Sequence, residues 1–280
     1  MSLKEYLRGR VSEEELKRVV RSFEIIGDVV IINLPDELLH IKDLIVEAIL
    51  SKHKHVKTIL RKVGEVSGEF RVARYEVLHG GETETIAKEF GCRFLVDPTK
   101  VYYSSRLSSE RERIARMVKE GERVLVMFAG VGPYAIVIAK LAKPKEVVGV
   151  ELNPKAVEYF RRNVKMNKVE DIVKVYEGDV REVVPKLEGT FDRILMPAPY
   201  SAESFVYLVR DKIKKGGFVH YYTFAGEEEE KTLPEKVKKL FKENGMIVDV
   251  LKVRECGSFA PRVYRYVVDL RVSAKIGKRN

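Results

Sequence analysis

The sequence of 280 residues contains no tryptophan, only two cysteines and no long uninterrupted apolar run. A membrane-spanning helix needs about 20 consecutive apolar residues, and no segment approaches that length. Cys92 and Cys256 are far apart and lack metal-ligand spacing, so we expect reduced thiols and no metal site. No charged-then-apolar leader opens the chain. We expect a cytoplasmic protein without a membrane partner, whose oligomeric state the sequence leaves open.

Acidic residues are outnumbered, with 52 lysines and arginines against 42 aspartates and glutamates and a formal net charge of +10. This excess attracts polyanions, and nucleic acid is the expected partner. A charged fraction of 34% also suits the ion-pair networks of a heat-stable surface, but such networks do not explain the sign of the excess. Basic residues concentrate in 51–62 and 106–119. We expect the first segment to form a helix with a basic face that contacts RNA.

Two domains are predicted from the order of the helix and strand patterns. Residues 1–100 combine short helices with strand-like segments, among them 58–63, and are interpreted as an N-terminal α+β domain, in which Ser12 and Glu15 have the spacing of a capping box. Residues 101–280 alternate strands with helices, including a helix expected across 201–213. They end in two strands that fit the antiparallel end of a mixed sheet.

A strand, a glycine turn and a helix follow one another in the second domain. The apolar run 124–128 enters a turn that contains Gly130 and Gly132, and an apolar helix begins directly after it. A second strand ends about twenty residues later at Glu151, where a carboxylate can accept from both hydroxyls of a ribose. A turn that only packs a helix on a sheet also needs glycine. The combination with Glu151 favours an adenosine-containing ligand.

Two further residues favour S-adenosylmethionine over a dinucleotide. Pro133 occupies the place where a pyrophosphate-binding helix offers a free backbone N–H, and proline has none. Asp179 follows a third strand, where its carboxylate can accept from the adenine amine. Glycine, glutamate and aspartate at three successive strand ends predict a class I S-adenosylmethionine-dependent methyltransferase-like, Rossmann-like α/β domain.

Longer stretches resemble a known family. The segments VDPTKVYYSSRLSSERERIA, VLVMFAGVGPY, VELNPKAVEYFRRNVKMN and GFVHYYTF are similar to the archaeal and eukaryotic enzymes that modify the tRNA purine just 3′ of the anticodon. The group contains the tRNA guanine-37 N1-methyltransferases and the wybutosine-pathway enzymes that transfer the 3-amino-3-carboxypropyl group of S-adenosylmethionine. The resemblance covers roughly residues 68–275. Together with the basic segment 51–62, a tRNA substrate leads us to expect that the N-terminal domain contacts tRNA.

One departure separates the two branches. The methyltransferases carry Asn-Leu-Pro after the fourth strand, whereas FDRILMPAPYS places Pro197 at the asparagine position. Proline offers neither a side-chain amide nor a backbone N–H, so the methyl-transfer arrangement is incomplete. We therefore expect aminocarboxypropyl transfer to the tricyclic modified guanine at position 37 of tRNA(Phe), in its anticodon region. The competing interpretation is a tRNA (guanine-37) N1-methyltransferase.

Site residues follow from the strand ends and from the resemblance. Glu151 and Asp179 are expected to bind the adenosine, and the resemblance adds Arg111 as a partner for the cofactor carboxylate. The predicted cofactor-binding set is Ser105, Arg106, Arg111, Phe128, Ala129, Gly130, Gly132, Glu151, Leu152, Asp179, Val180 and Pro197. A helical salt bridge with Glu110 or another neighbour is the competing interpretation of Arg111.

Catalytic candidates also come from the resemblance. Glu110 matches a glutamate proposed to take a proton from guanine, and Arg71 or Arg74 matches an arginine that contacts the base. Phe128, Tyr134, Tyr200 and Tyr222 are candidates for stacking on a base that leaves the loop, or else for core packing. His220 is interpreted as a satisfied core histidine. For the chain as a whole, an RNA-binding protein with a vestigial pocket and a small-molecule methyltransferase are two rival hypotheses.

Overall fold

The computed structural model describes residues 2–20, 22–67, 72–198 and 200–277. The chain divides into two compact units, residues 1–106 and 107–280. Each unit has its own core. A short 3₁₀ helix, Ser105–Leu107, contains the boundary between them.

The first unit packs short helices against a small sheet. Its α-helices are α1 Leu3–Leu7, α2 Glu13–Arg18 and α3 Lys42–Lys52, and a 3₁₀ helix spans Asp36–Ile41. The predicted capping box at α2 is confirmed, because Ser12 Oγ accepts from the Glu15 amide and the Glu15 side chain accepts from the Ser12 amide. Leu7, Val30, Ile45 and Ile59 lie in the shared core.

Strands of the first unit form two separate sheets. The four-stranded sheet has the order β1 Glu24–Ile26, β2 Val29–Ile32, β3 Thr58–Ser67 and β4 Val72–His79, and a hairpin pairs β5 Thr85–Glu89 with β6 Cys92–Val96. The prediction of a basic helix over 51–62 is wrong, whereas the strand-like pattern of 58–63 is confirmed by β3. Helix α3 ends at Lys52, and Thr58 pairs with Val29 as a strand. Burial of Ile59 and Leu60 in the sheet outweighs the helical pattern of the lysines.

The second unit is a seven-stranded sheet covered by helices. The strands are β7 Arg123–Met127, β8 Glu146–Glu151, β9 Val173–Glu177, β10 Phe191–Met196, β11 Ile213–Gly226, β12 Met246–Ala260 and β13 Val263–Lys275. The helices are α4 Ser108–Met117, α5 Pro133–Leu141, α6 Pro154–Met166, α7 Val180–Lys186 and α8 Leu233–Glu243, with 3₁₀ helices at Ala202–Leu208 and Glu227–Thr232.

Sheet order confirms the predicted fold class. The order is β12-β13-β11-β10-β7-β8-β9. Strands β9, β8, β7, β10 and β11 are parallel, and β13 and β12 extend the sheet in antiparallel pairing. Parallel strands are covered on both faces, and Val124, Leu125, Val126 and Met127 are accordingly fully buried. The carboxyl ends of β7, β8 and β9 are neighbours, which places three strand-end loops side by side.

The helix predicted across 201–213 is wrong in extent. Only a 3₁₀ helix forms there, and Ile213 already begins β11. Val206, Val209 and Ile213 are fully buried, so packing under the sheet shapes this segment. Among the described residues, no helix has the length and apolar character needed to cross a membrane.

Candidate active site

The glycine turn lies between β7 and α5, and its backbone is partly left-handed. Phe128 has φ 58° and Gly132 has φ 90°. The Gly132 amide donates to the Ala129 carbonyl over 3.0 Å and closes the turn. A Cβ at Gly132 would lie 2.1 Å from Cδ2 of Phe160, so α6 packs against the turn at a distance that only glycine permits. Gly132 therefore has a packing role independent of any ligand.

Phe128 carries backbone strain at the end of β7. A left-handed conformation costs a residue with a Cβ roughly 1–2 kcal/mol, and strained residues cluster at ligand-binding positions. Its ring is partly exposed and meets Phe205 edge-on, with the centroids 5.1 Å apart. Phe128 thus forms part of the wall at the carboxyl end of the sheet.

Glu151 lies at the end of β8, and its carboxylate is anchored by backbone amides. Oε2 accepts from the Gly130 amide over 2.6 Å, and Oε1 accepts from the Asn153 amide over 2.8 Å. Burial raises the pKa of Glu151, while these amides act in the opposite direction. The Gly178 amide donates to the Glu151 carbonyl over 2.9 Å, which ties this loop to the loop after β9. The carboxylate is fixed at the point where the three loops meet.

Asp179 follows β9 and caps helix α7. Its Oδ1 accepts from the Arg181 amide over 2.8 Å, and its carboxylate also forms an ion pair with the Arg181 guanidinium. The hydrogen bond from the Arg181 side chain lowers the pKa of Asp179. Asp179 is therefore ionised at neutral pH and has a local structural role as well as a position at the strand end.

These strand-end groups fit an adenosine moiety. A partly buried carboxylate suits the two ribose hydroxyls, and a second carboxylate lies on the neighbouring loop. Leu152 is 37% exposed directly after Glu151, and Val180 is buried directly after Asp179. The exposed apolar side chain of Leu152, next to the Glu151 carboxylate, is suited to pack against the face of an adenine ring. The binding roles of these residues stay predictions.

Pro197 follows β10 beside the glycine turn. In the pairing of β10 with β7, Leu195 faces Val126, and Pro197 and Phe128 each lie two residues further along. Both are partly exposed. Pro197, which departs from the methyltransferase pattern, therefore lies at the carboxyl edge of the sheet, near Phe128.

Glu110 is 2% exposed on α4 and is held by two neighbours. Arg113 donates from Nε to Oε2 and from Nη2 to Oε1, each over 2.8 Å, and the Tyr222 hydroxyl donates to Oε1 over 2.8 Å. Tyr134 in turn donates to the Tyr222 oxygen over 3.1 Å. The catalytic role of this buried, hydrogen-bonded carboxylate stays a prediction.

The ion pair of Glu110 is formed by Arg113, which sequence reasoning did not single out. The spacing of three residues on one helix is the signal that could have found it. Arg111 is 2% exposed, and its guanidinium carbon lies 6.0 Å from the ring centroid of Tyr134, in the same interior region. Its pairing with a cofactor carboxylate stays a prediction.

A buried chain of charged groups continues from Arg113 through the unit. Arg113 also donates to Asp269, from Nη1 to Oδ2 over 2.7 Å, and His220 Nδ1 lies 2.6 Å from Asp269 Oδ1. Arg193 Nη1 lies 2.8 Å from His220 Nε2, and its Nε donates to Glu122 over 2.8 Å. Although burial alone would raise the pKa of Asp269, hydrogen bonds from His220 and Arg113 hold it well below its usual value.

The predicted site residues before position 107 belong to the first unit. Ser105 donates to Glu24 from its amide over 2.7 Å and from its hydroxyl over 3.1 Å. Arg106 is exposed, and Arg74 is exposed on β4, where it pairs with Val63 of β3. Arg71 lies outside the described residues. The roles assigned to all four stay predictions.

The four aromatic candidates have different environments. Tyr134 is 5% exposed and Tyr222 is 1% exposed, and their hydroxyls are hydrogen-bonded in the interior, so both are core residues. Tyr200 is 49% exposed, at the end of the loop that follows β10. Within the described ranges, no cluster of histidine, cysteine, aspartate or glutamate has a geometry that could hold a metal ion.

Comparison with protein-family patterns gives two matches. Residues 85–251 match the TRM5/TYW2 methyltransferase domain, and residues 3–83 match the TYW2 N-terminal domain. The chain belongs to the TRM5/TYW2 family.

Named relatives include both branches of the TRM5/TYW2 family. The tRNA (guanine(37)-N(1))-methyltransferase Trm5b of Pyrococcus abyssi is 40% identical over 265 residues, which cover 93% of this chain and 78% of the relative. The tRNA(Phe) (4-demethylwyosine(37)-C(7)) aminocarboxypropyltransferase of Pyrococcus horikoshii is 34% identical over 271 residues, which cover 96% of both chains. Among solved structures, P. horikoshii TYW2 in complex with MeSAdo has a TM-score of 0.78 and 31% identity, and covers 97% of this chain and 98% of that one.

Proposed function

We propose that this TRM5/TYW2 family member is an S-adenosylmethionine-dependent tRNA-modifying transferase. It transfers the 3-amino-3-carboxypropyl group to the tricyclic modified guanine at position 37 of tRNA(Phe) and releases methylthioadenosine. The observation that carries the choice of group is Pro197, at the end of β10 beside the glycine turn. It has no amide to offer at the position where methyltransferases place an asparagine. The match of residues 3–83 to the TYW2 N-terminal domain supports the same branch.

The reaction requires orientation more than acid–base power. When bound, S-adenosylmethionine supplies a sulfonium centre with three electrophilic carbons, and the one presented in line with the nucleophile determines the product. Glu151 holds the ribose, and Asp179 accepts from the adenine amine. Phe128 and Pro197 form the wall that sets the direction of the methionine arm. In the proposed step a ring carbon forms a new C–C bond as the C–S bond breaks, the electron pair stays on sulfur, and the ring carbon loses a proton.

Residues on α4 set the interior side of the site. The carboxylate of Glu110 is held in place by hydrogen bonds from Arg113 and Tyr222, and Tyr222 in turn accepts from Tyr134 at the start of α5. Substitution at the ring carbon releases a proton, and Glu110 is our candidate for the group that accepts it. Exchange of one Tyr222 hydrogen bond for the substrate would make Oε1 available.

A methyltransferase acting on N1 of guanine-37 is the competing function. The 40% identity with Trm5b of Pyrococcus abyssi supports it and exceeds the 34% identity with the aminocarboxypropyltransferase of Pyrococcus horikoshii. Overall identity mostly reflects the shared fold, whereas Pro197 lies at the reacting end of the sheet. For this reason we give the identity of residue 197 more weight than the overall sequence identity.

Two labelled donors test the proposal. The protein is incubated with tRNA(Phe) that carries 4-demethylwyosine or unmodified guanine at position 37, and with donor labelled either in the methyl group or in the carboxyl group. We expect carboxyl label in the 4-demethylwyosine tRNA, methyl label in free methylthioadenosine, and no label in the unmodified tRNA. Methyl label in tRNA would support the competing function. Glu151→Gln serves as the control that should lower both the carboxyl label in tRNA and the methyl label in methylthioadenosine.

A further inference from the structure

Three aromatic side chains from separate segments meet at the carboxyl end of β10 and β11. Tyr200 follows β10, Phe224 lies on β11 and Phe259 lies on β12. The rings of Phe224 and Phe259 stack, with centroids 4.4 Å apart and planes 30° apart. Tyr200 stands edge-on to both, at centroid distances of 4.6 Å and 5.2 Å. We call these three residues the aromatic platform.

The platform is open to solvent. Tyr200 is 49% exposed and Phe259 is 51% exposed, whereas Tyr222 on the adjoining part of β11 is 1% exposed. Aromatic rings that serve only as core are buried as Tyr222 is. Adjacent exposed rings at one edge of a sheet mark a surface that contacts a ligand.

Positive charge borders the aromatic platform. Arg265 pairs with Phe224 across β11 and β13, and its guanidinium carbon lies 5.5 Å from the Phe224 ring centroid. Arg262 is exposed in the turn of the β12–β13 hairpin, three residues from Phe259. The longer distances of Arg262 to Glu227 and Glu228, 3.7 Å and 3.4 Å, describe loose surface pairs. Aromatic rings beside cationic groups are the combination that binds single-stranded nucleic acid, through base stacking and phosphate attraction.

The platform also lies near the predicted site. Phe224 is two residues beyond Tyr222 on the same face of β11, a distance of about 7 Å along a strand. Tyr222 contacts Tyr134, the second residue of the helix that follows the glycine turn. Tyr200 is three residues beyond Pro197 in the chain. A nucleotide held at the platform is therefore a close neighbour of a nucleotide held at the strand ends.

We propose that the aromatic platform stacks a nucleobase that flanks the modified purine in a single-stranded RNA loop. The reacting purine needs a slot from which water is excluded, and a half-exposed platform does not provide one. A flanking base needs only a ring face on one side and water on the other. The inference rests on the proposed tRNA substrate, but not on which group is transferred to it.

Binding of an anticodon stem-loop RNA tests the platform without turnover. Stacking contributes about 1–3 kcal/mol per base, so Phe259→Ala should weaken RNA binding roughly fivefold to a hundredfold. Phe259→Tyr, which keeps the ring, should bind almost as wild type does. Leu251→Ala is the matched control, since Leu251 is also 51% exposed on β12 but lies outside the platform. Affinity for S-adenosylmethionine should be unchanged in all three variants. Equal RNA affinity of wild type and a Tyr200→Ala/Phe259→Ala double variant would overturn the inference.

Abasic RNAs identify the stacked base. Stem-loops of equal charge carry one abasic nucleotide, either at the modified position or at a nucleotide on either side. Wild type and Phe259→Ala should bind equally to the RNA that lacks the stacked flanking base, and unequally to the others. If the difference vanishes only for the RNA that is abasic at the modified position, the platform binds the reacting purine and our assignment is wrong. Because no catalysis is measured, methyl transfer by the wild type would refute the proposed function and leave this result intact.

A fluorescent variant provides a direct signal. The chain contains no tryptophan, so Phe259→Trp introduces a single indole at the platform. Its emission should be quenched by the intact stem-loop and much less by the RNA that is abasic at the stacked position. Equal quenching by both RNAs would contradict stacking.

Discussion

Arg193 donates from Nη1 to Nε2 of His220 across 2.8 Å, in a part of the core where His220 is 1% exposed. A guanidinium has only donors, so Nε2 must accept and the ring proton must reside on Nδ1, facing Asp269. The structure thereby fixes both the tautomer and the neutral charge state of His220. Burial lowers the pKa of this histidine in spite of the facing carboxylate.

His220 should make stability depend on pH. The folded protein holds the ring neutral, whereas the unfolded chain protonates it below its ordinary pKa of 6.5. Unfolding therefore takes up a proton below pH 6.5, and the stability of the fold that depends on the neutral ring decreases as the pH falls. We expect the free energy of unfolding to fall by at most about 1.4 kcal/mol per pH unit in this window. Denaturant titrations at a series of pH values measure it.

His220→Gln is the control for that slope, since glutamine keeps a donor and an acceptor but does not titrate. Wild type and variant should differ in slope between pH about 6.5 and about 4.5, and the carboxylates, Asp269 among them, should dominate below that range. The depressed pKa of Asp269 places its own loss of stability at the acid end. Parallel curves for the two proteins above pH about 4.5 would show that His220 is not held neutral.

Gly132→Ala should destabilise the turn through both strain and overlap. The backbone has φ 90°, and the added methyl would meet the Phe160 ring at 2.1 Å. We expect a loss of about 3 kcal/mol, from left-handed strain together with overpacking. Gly121→Ala isolates the strain, because Gly121 has φ 79° and open space around it, and should lose only about 1–2 kcal/mol. Thermal unfolding compares the two, and equal losses would mean that Phe160 moves aside freely.

The strand-end residues that we propose to bind adenosine could be located from the sequence because their pattern is local. Glu151 and Asp179 each follow a strand marked by a short apolar run, and parallel strands bring their ends together without further information. The same holds for the fold class, since alternation of strand and helix dictates a parallel sheet.

Partners distant in the chain could not be found in this way. Arg113 and Asp269 are 156 residues apart, and nothing in either segment points to the other. Phe224 lies on β11 and Phe259 lies on β12, and the two strands are brought together by their common pairing with β13. The helix prediction for 51–62 was wrong for a related reason, because the spacing of its lysines fits a helix whereas its buried residues pair as a strand in the sheet. In these cases tertiary pairing determines which residues are in contact, and the local sequence pattern does not predict that pairing.

Glu151→Gln should weaken S-adenosylmethionine binding more than Asp179→Asn does. The Gln side chain has one NH₂ group, which would face the amide of either Gly130 or Asn153 where the carboxylate now accepts from both. Loss of charge-assisted hydrogen bonds of about 1.5–3 kcal/mol predicts a decrease in affinity of roughly tenfold to a hundredfold. Asp179 is more exposed and is shared with Arg181, so we expect less than about tenfold there.

Calorimetric titration with S-adenosylmethionine measures these affinities. Glu158→Gln is the control, an exposed carboxylate on α6 that pairs with Lys155. Because burial raises the pKa of Glu151, wild-type affinity should also decline on acidification at a higher pH than an ordinary glutamate would cause. The Gln variant should lack that decline. If Glu151→Gln and Glu158→Gln bound the donor equally well, the ribose role of Glu151 would be excluded.

Pro197→Asn should shift the product toward methyl transfer. Asparagine would restore both a side-chain amide and a backbone N–H at the end of β10, beside Phe128. One hydrogen bond of about 1.5 kcal/mol to the methionine arm or the base corresponds to a roughly tenfold change in the ratio of methyl to aminocarboxypropyl product. Pro197→Ala restores the backbone N–H alone and separates the two effects. The ratio is read by mass spectrometry of tRNA after incubation with S-adenosylmethionine, because the two added groups differ in mass. A change in Asn but not in Ala would assign the choice of group to the side-chain amide, and equal changes in both would assign it to the backbone. An unchanged ratio in both variants would show that the orientation of the methionine arm is set elsewhere in the wall.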